Sequence, residues 1–164
     1  MIKFARILVF LLPAFAMYAA AQATVQVDPA PAAPRPLEPQ TQKAAVRDYL
    51  QAWQAMQSAF SQDRADLLGS SFIGTALDRL SASIQQQSRL AMRTNYQDVS
   101  HEIHFLFYSP EGLSIEFTDV VKYNVQVFEH GRQIATRQES ARYLVVMTPA
   151  EVSWKVRIFQ AMQK

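Results

Sequence analysis

The residues able to do chemistry in this chain are few, and they gather on one stretch. From Leu113 to Phe128 apolar and polar residues alternate, and Asp119 falls in phase with Ile115, Phe117, Val121 and Tyr123. A carboxylate on the apolar side of a strand is costly unless it is paired, and burial raises its pKa toward that of a working base. With a tyrosine hydroxyl as hydrogen-bond donor to a developing oxyanion, such a group moves a proton beside a carbonyl. The candidates are Asp119 or Glu116 as base, and Tyr123, Tyr96 or Tyr49 as donor. A purely structural Asp119 is the competing possibility. A bulge at Thr118-Asp119-Val120-Val121 would turn it outward, or Arg142 would neutralise it across the sheet.

Other chemistries find less support. His101 and His104 lie three apart on opposite faces of one strand, so they cannot chelate one metal, and His130 sits in a turn; no metal site is expected. There are no cysteines, which removes thiol catalysis, disulfides and a lipid anchor at a cleavage-site cysteine. Four glycines form no phosphate-binding loop, no nucleophile elbow is present, and no cofactor is implied. Tyr49, Trp53, Phe105, Phe107, Phe117 and Trp154 are candidates to line an apolar pocket, although such aromatics also serve simply as core.

These residues depend on a small set of elements. A first helix is expected from about Thr41, as its cap, to Gln62, with Val46, Tyr49, Leu50, Trp53, Met56 and Phe60 on one face and Asp48, Gln51, Gln54 and Gln57 mostly on the other. A short turn carries Leu67 and Leu68. A second helix is expected from Ser71 to Arg93, with Gln85, Gln86, Gln87 and Ser88 on a solvated face. From Asp98 the period changes to two. Strands are expected at 98–108, 113–128, 133–147 and 152–161, joined by turns at Ser109–Gly112, Glu129–Arg132 and Thr148–Glu151, an antiparallel meander. Strands this long curl, and helices can close over the concave face. Lys122, Arg137, Glu139, Arg142, Lys155 and Arg157 are expected on the open face of the sheet, solvated or forming a polar homodimer interface.

Two helices followed by a long-stranded curved meander resemble the nuclear transport factor 2-like superfamily, a cystatin-like α+β cone. The resemblance covers residues 41–161 and is carried by element order, the Tyr49-Leu50-Gln51-Ala52-Trp53 helix, the second helix from Phe72 to Leu80 and the final Trp154-Lys155-Val156 strand. It implies an α+β fold with N-terminal helices packed on a four-stranded antiparallel sheet. The superfamily usually has a short strand between its early helices and its last helix, and here only Gly69 to Phe72 could supply it. The superfamily hosts isomerases, dehydratases, cyclases, transport adaptors and non-catalytic domains, so the fold does not choose a function. Its isomerase sites pair an Asp base with a tyrosine and a protonated Asp, and no motif here carries those roles over.

The N-terminus addresses the question of place. Lys3 and Arg6 precede an apolar run, Ile7 to Ala21, broken by Pro13, and Ala21-Gln22-Ala23 offers small residues where a signal peptidase reads. About fifteen apolar residues fall short of the roughly twenty a spanning helix needs, so membrane contact is expected only in transit. Residues 1–23 are read as a secretory signal, 24–40 as a linker with five of the eight prolines, and 41–164 as the domain. The net charge of +2 comes from Lys3 and Arg6. Without them 14 basic residues meet 14 acidic ones, and the basic surplus that nucleic-acid binding wants is absent. The sequence therefore points to an exported, periplasmic or secreted, non-catalytic binding or interaction module, with a small apolar ligand or a second copy as partner. The alternative is a small pocket enzyme, an isomerase, dehydratase or cyclase. Native mass spectrometry of the exported protein should give the mass of residues 24–164; a full-length mass would mean an uncleaved anchor.

Overall fold

The computed structural model describes residues 22–163. The apolar run Ile7 to Ala21, read from the sequence as part of a secretory signal, lies outside the described residues. Among the described residues no helix is long and apolar enough to cross a membrane.

Two short strands, β1 (Thr24–Val27) and β2 (Ala33–Pro34), precede helix α1 (Pro39–Gln62), a 3-10 turn at Ala65–Ser70 and helix α2 (Gly74–Arg89). Four long strands follow: β3 (Met92–Tyr108), β4 (Ile115–Glu129), β5 (Arg132–Pro149) and β6 (Trp154–Ala161). The sheet order is β1-β3-β4-β5-β6, with β2 also beside β3, and the long strands form the expected antiparallel meander. Both helices cover the inner face of the curved sheet.

α1 forms because Ala45, Tyr49, Ala52, Trp53, Met56, Ala59 and Phe60 recur at helical spacing, and all are buried. It begins two residues before Thr41, since Pro39 suits the first helical turn and Glu38 takes the cap position. It stops at Asp63, which adopts φ 54° and returns its N–H to the Ala59 carbonyl. Asp48, expected on the solvated side, is buried: its Oδ2 accepts the Trp154 N–H at 2.8 Å and Arg47 pairs with Oδ1 at 2.8 Å.

α2 is shorter than its periodicity predicts at both ends. The Ile73 N–H donates to the Val156 carbonyl at 3.0 Å and the Val156 N–H donates to Ser71 at 2.9 Å. That single parallel bridge at Phe72 stands where a short strand was sought, and it keeps Ser71–Ile73 out of the helix. At the other end Ala91 turns the chain at φ 52°, so β3 starts at Met92, six residues before the expected Asp98. Helical phase sets Gln87, as an alternative to Ser88, on the stripe of Ile73, Ala76, Leu77, Leu80 and Ile84, although it also falls in the solvated Gln85–Ser88 run. It is buried and donates to the Phe60 carbonyl at 2.8 Å and to Asp63 at 2.6 Å, tying α2 to the end of α1.

The ladder is regular across Thr118–Val121, where a bulge was expected. The register shifts lie elsewhere and extrude Val99 and Leu106 from β3, Ile134 from β5 and Arg157 from β6. Each shift flips the faces of the residues beyond it.

The proline-rich stretch is extended, as its composition demands, but it is not a free spacer. β1 pairs in parallel with Ser100–Ile103 and β2 with Phe107–Tyr108, covering the β3 edge and making the sheet six-stranded instead of four-stranded. Arg35 fastens it: the guanidinium lies 4.4 Å over the Tyr108 ring, donates to the Pro110 carbonyl at 2.8 Å and pairs with Glu38 at 2.6 Å. Arg35→Ala should cost about 1 kcal/mol. It should also make residues 24–34 the first site of limited proteolysis, read by mass spectrometry of the fragments.

Candidate functional site

Asp119 does point inward. Its neighbours in phase on β4, Phe117 and Val121, are core, and Asp119 itself is 0 % exposed. Neither structural alternative holds, since the carboxylate is not turned out and Arg142 is not its partner. Oδ2 accepts the Tyr49 hydroxyl at 2.8 Å and His101 Nδ1–H at 2.7 Å, and Oδ1 accepts the Glu102 backbone N–H at 3.2 Å. His101, also 0 % exposed, donates from Nε2 to Asp98 at 3.0 Å, and Asp98 takes a further hydrogen bond from Gln57 at 2.6 Å. The result is a continuous polar chain, Tyr49–Asp119–His101–Asp98–Gln57, running from α1 through β4 and β3 and back to α1.

The electrostatics follow from that order. Burial works against a charged His101, but the hydrogen bonds and charges of Asp119 and Asp98 outweigh it and lift its pKa to about 9. The bond from His101 holds Asp98 below the usual carboxylate range against partial desolvation. Burial, with the Asp119 charge second, pushes the Tyr49 phenol well up. An imidazolium thus sits between two carboxylates, and neutral donors satisfy the remaining negative charge.

A separate cavity of about 320 Å³ opens between the helices and the sheet. α1 contributes Trp53, Met56 and Phe60, and α2 contributes Arg79, Leu80 and Ser83. From the sheet come Tyr96, Tyr123, Tyr143, Phe159 and Ala161. Tyr143 stacks on Phe159 with centroids 4.4 Å apart, and Trp53 stands edge-on to both at 5.9 and 5.7 Å. Trp53 also packs edge-on against His101 at 5.3 Å, so one indole separates the polar chain from the cavity. Its N–H is buried without a hydrogen-bond partner. Burial raises the pKa of Tyr143 and of Tyr96, with Tyr123 next to each as a further cause, so these walls are neutral hydroxyls.

The sequence candidates fall into different places. Asp119 and Tyr49 meet in the solid core, whereas Tyr123, Tyr96 and Trp53 line the cavity. Tyr123 reaches Glu139 at 3.5 Å. Glu116 lies in register with Phe107 and Val146 on the outer face, away from both features. Phe105 and Phe117 are core, Trp154 packs at the core margin, and the extrusion of Leu106 places Phe107 outside, 37 % exposed. The charges expected on one open face are dispersed. Lys122 and Arg142 are on the outer face, while Arg137 pairs with Glu139 beside Tyr123. Lys155 donates to the Gly69 carbonyl at 3.0 Å, and Arg157 is the residue extruded beside Gly74. Among the described residues no group of three or more His, Cys, Asp or Glu is arranged to hold a metal. His101 was weighed only as a metal ligand, and its inward phase with Ile103 and Phe105 was the available signal of burial.

No protein-family profile matches this sequence, and no curated protein sequence does. Solved structures match by fold. The intermembrane space region of the chloroplast protein ARC6 superposes with a TM-score of 0.62 at 12 % identity, over 78 % of this chain and 98 % of that one. A putative scytalone dehydratase from Novosphingobium aromaticivorans gives 0.53 at 10 % identity, over 77 % and 89 %. Aln2 from a Streptomyces species gives 0.52 at 9 % identity, over 77 % and 93 %. The chain has the nuclear transport factor 2-like α+β cone fold.

The polar chain sets a pH dependence. A folded-state pKa of about 9 for His101, against about 6.5 unfolded, contributes stability that is complete below pH 6.5 and is lost as pH rises through 9. The lowered Asp98 contributes stability present above about pH 4 and lost on further acidification. Thermal unfolding should therefore show a Tm that falls from pH 6.5 to 9, and His101→Gln should flatten that slope while lowering Tm overall. A wild-type Tm flat across that range would mean that His101 is neutral.

Proposed function

We propose that this chain is an exported, non-catalytic binding module that recognises a small apolar, ring-shaped ligand in the aromatic cavity. One observation carries the reading: the inward carboxylates Asp119 and Asp98 are spent on His101 behind Trp53, while the residues lining the cavity are mainly aromatic and include no carboxylate. Its volume is near the small end for ligand sites, and apolar walls with a few polar groups are what such sites use. Ring faces suit Tyr143 and Phe159. Arg79, which pairs with no described carboxylate, suits an acidic substituent. Export rests on the N-terminal residues Lys3, Arg6 and Ile7–Ala23.

The pocket-enzyme alternative draws on one contact, Tyr123 with Glu139 at the rim. Glu139 is already engaged by Arg137.

Both are tested by titrating a naphthoic acid and the corresponding naphthol into a Trp154→Phe variant, with Trp53 as the fluorophore. Both compounds should quench, and Arg79→Gln should weaken the acid about tenfold and leave the naphthol unchanged. Asp119→Asn should lower Tm and leave naphthol affinity within about twofold. Absence of quenching would sink the binding reading, and chemical conversion of a bound probe would favour the enzyme.

A further inference from the structure

The cavity has an open side, and an unpaired strand edge runs along it. β6 pairs with β5 only from Tyr143 to Pro149. The Met162 N–H makes one more bond, to the Arg142 carbonyl at 2.8 Å, and Met162 and Gln163 then border a cavity shared with Val120, Ser140, Ala141 and Arg142. From Ala141 back to Ala135, β5 is paired with β4 on one side and with no described strand on the other. The outward carbonyl of Arg142 fixes the alternation, so the backbone groups of Ser140, Gln138 and Thr136 also face outward. The extrusion of Ile134 ends this usable edge, leaving about 23 Å of it.

The inner face of the same edge leads to the cavity. Ala161, the last inner residue of β6, lines the mouth and pairs with Tyr143. A segment continuing the line of β6 along Ala141 and Glu139 would aim its alternate side chains between the sheet and α2, where Arg79 and Ser83 stand. We infer that this edge and the cavity form one recognition site for an extended polypeptide segment, which adds a strand beside Ala135–Ala141 and places an apolar, preferably aromatic, side chain in the cavity. This deepens the binding reading above and rests on it.

Two observations select the occupant. A second copy pairing edge to edge would offer the cavity only Ala141, Glu139 or Arg137, and none of these fills an aromatic hole. The border of the site is basic. Arg79 at the cavity and Arg142 on the outer face beside the edge pair with no described carboxylate, and Glu139 is already taken by Arg137. The fitting segment is therefore extended and acidic, with one aromatic residue. Backbone pairing supplies affinity in such docking, and the side-chain pocket supplies selectivity.

The test uses synthetic eight-residue peptides of alternating threonine and aspartate in which one central position is Phe, Tyr, Trp, Leu, Ala or Asp. Binding is read by fluorescence anisotropy, and hydrogen exchange reports on the amides of Thr136, Gln138 and Ser140. The aromatic peptides should bind at least tenfold tighter than the Ala and Asp peptides and should slow exchange at those three amides. Gln138→Pro removes one outward N–H from an edge position, where proline is tolerated. It should weaken the aromatic peptides at least tenfold while leaving the melting curve and naphthol binding near wild type. Arg79→Gln serves as a second variant and should weaken these acidic peptides while leaving naphthol binding unchanged. Equal binding across the central residues, no binding by any peptide, or slow exchange at these amides through self-association without peptide would each overturn the inference. Naphthol binding retained in those cases would leave the cavity reading standing, and its loss would remove both.

Discussion

Two carboxylates inside a small domain can persist only if something holds a positive charge between them, and here that duty falls on His101. The imidazole bridges Asp119 and Asp98, and each carboxylate takes one further side-chain donor from α1, Tyr49 in one case and Gln57 in the other. Every member therefore constrains the next. Removing the imidazole would leave two like charges facing each other, and removing either donor would take one hydrogen bond from a carboxylate. Because the donors lie two turns apart on one helix, the chain fixes both the rotation and the axial position of α1 over β3 and β4. An apolar stripe alone would tolerate sliding of α1 by a turn.

The same helix is fixed to the far strand by a different device. Asp48, one residue before Tyr49, accepts the first backbone N–H of β6 at Trp154. α2 is then hung from α1 through Gln87 and from β6 through the bridge at Phe72. Asp48 and the Phe72 bridge thus pin the helices at the end of the cone where β6 is present, and Gln87 ties them together at the other, beside Tyr96. Toward the other end β6 has stopped, and the sheet continues as β3, β4 and β5 alone. The cavity forms between these regions. Its walls are large aromatics because rings packed edge-on or stacked cannot fill the wedge between a curved sheet and two straight helices without leaving a gap.

Much of this was visible in period and phase, and the failures along β3 share one cause. The inward direction of Asp119 followed from its spacing to Phe117 and Val121, and the helical stripe of Tyr49, Trp53 and Met56 placed the aromatic layer. Alternation assumes an unbroken ladder, however. The extrusion of Val99 brings Asp98 to the inner face together with His101, although three residues normally separate opposite faces, and so the central contact of the core was hidden. The extrusion of Leu106 sends Phe107 outward for the same reason. No residue type announced either bulge; Val99 and Leu106 are apolar side chains that alternation would place on one face or the other, and both are exposed at 38 %. The burial of Asp48 and the partners of Gln87 were hidden for another reason. A polar side chain that caps a backbone group of a distant element leaves no periodic trace.

The position of Trp53 decides how the polar chain should be understood. A carboxylate that serves as a base must present a lone pair to its substrate, yet three donors already occupy Asp119 and the indole of Trp53 covers its imidazole partner. Freeing Asp119 for chemistry would break a hydrogen bond to Tyr49 or to His101 in a region without solvent. Each such break costs on the order of 1–3 kcal/mol before any substrate arrives, and more when the donor is charged. The chain's energy is better used as support: it holds Trp53 from behind, so that the face of the indole turned to the cavity stays where Tyr143 and Phe159 meet it. In this arrangement Asp119, His101 and Asp98 support one wall of the cavity from behind, and the proposed recognition rests on aromatic shape and on the guanidinium of Arg79.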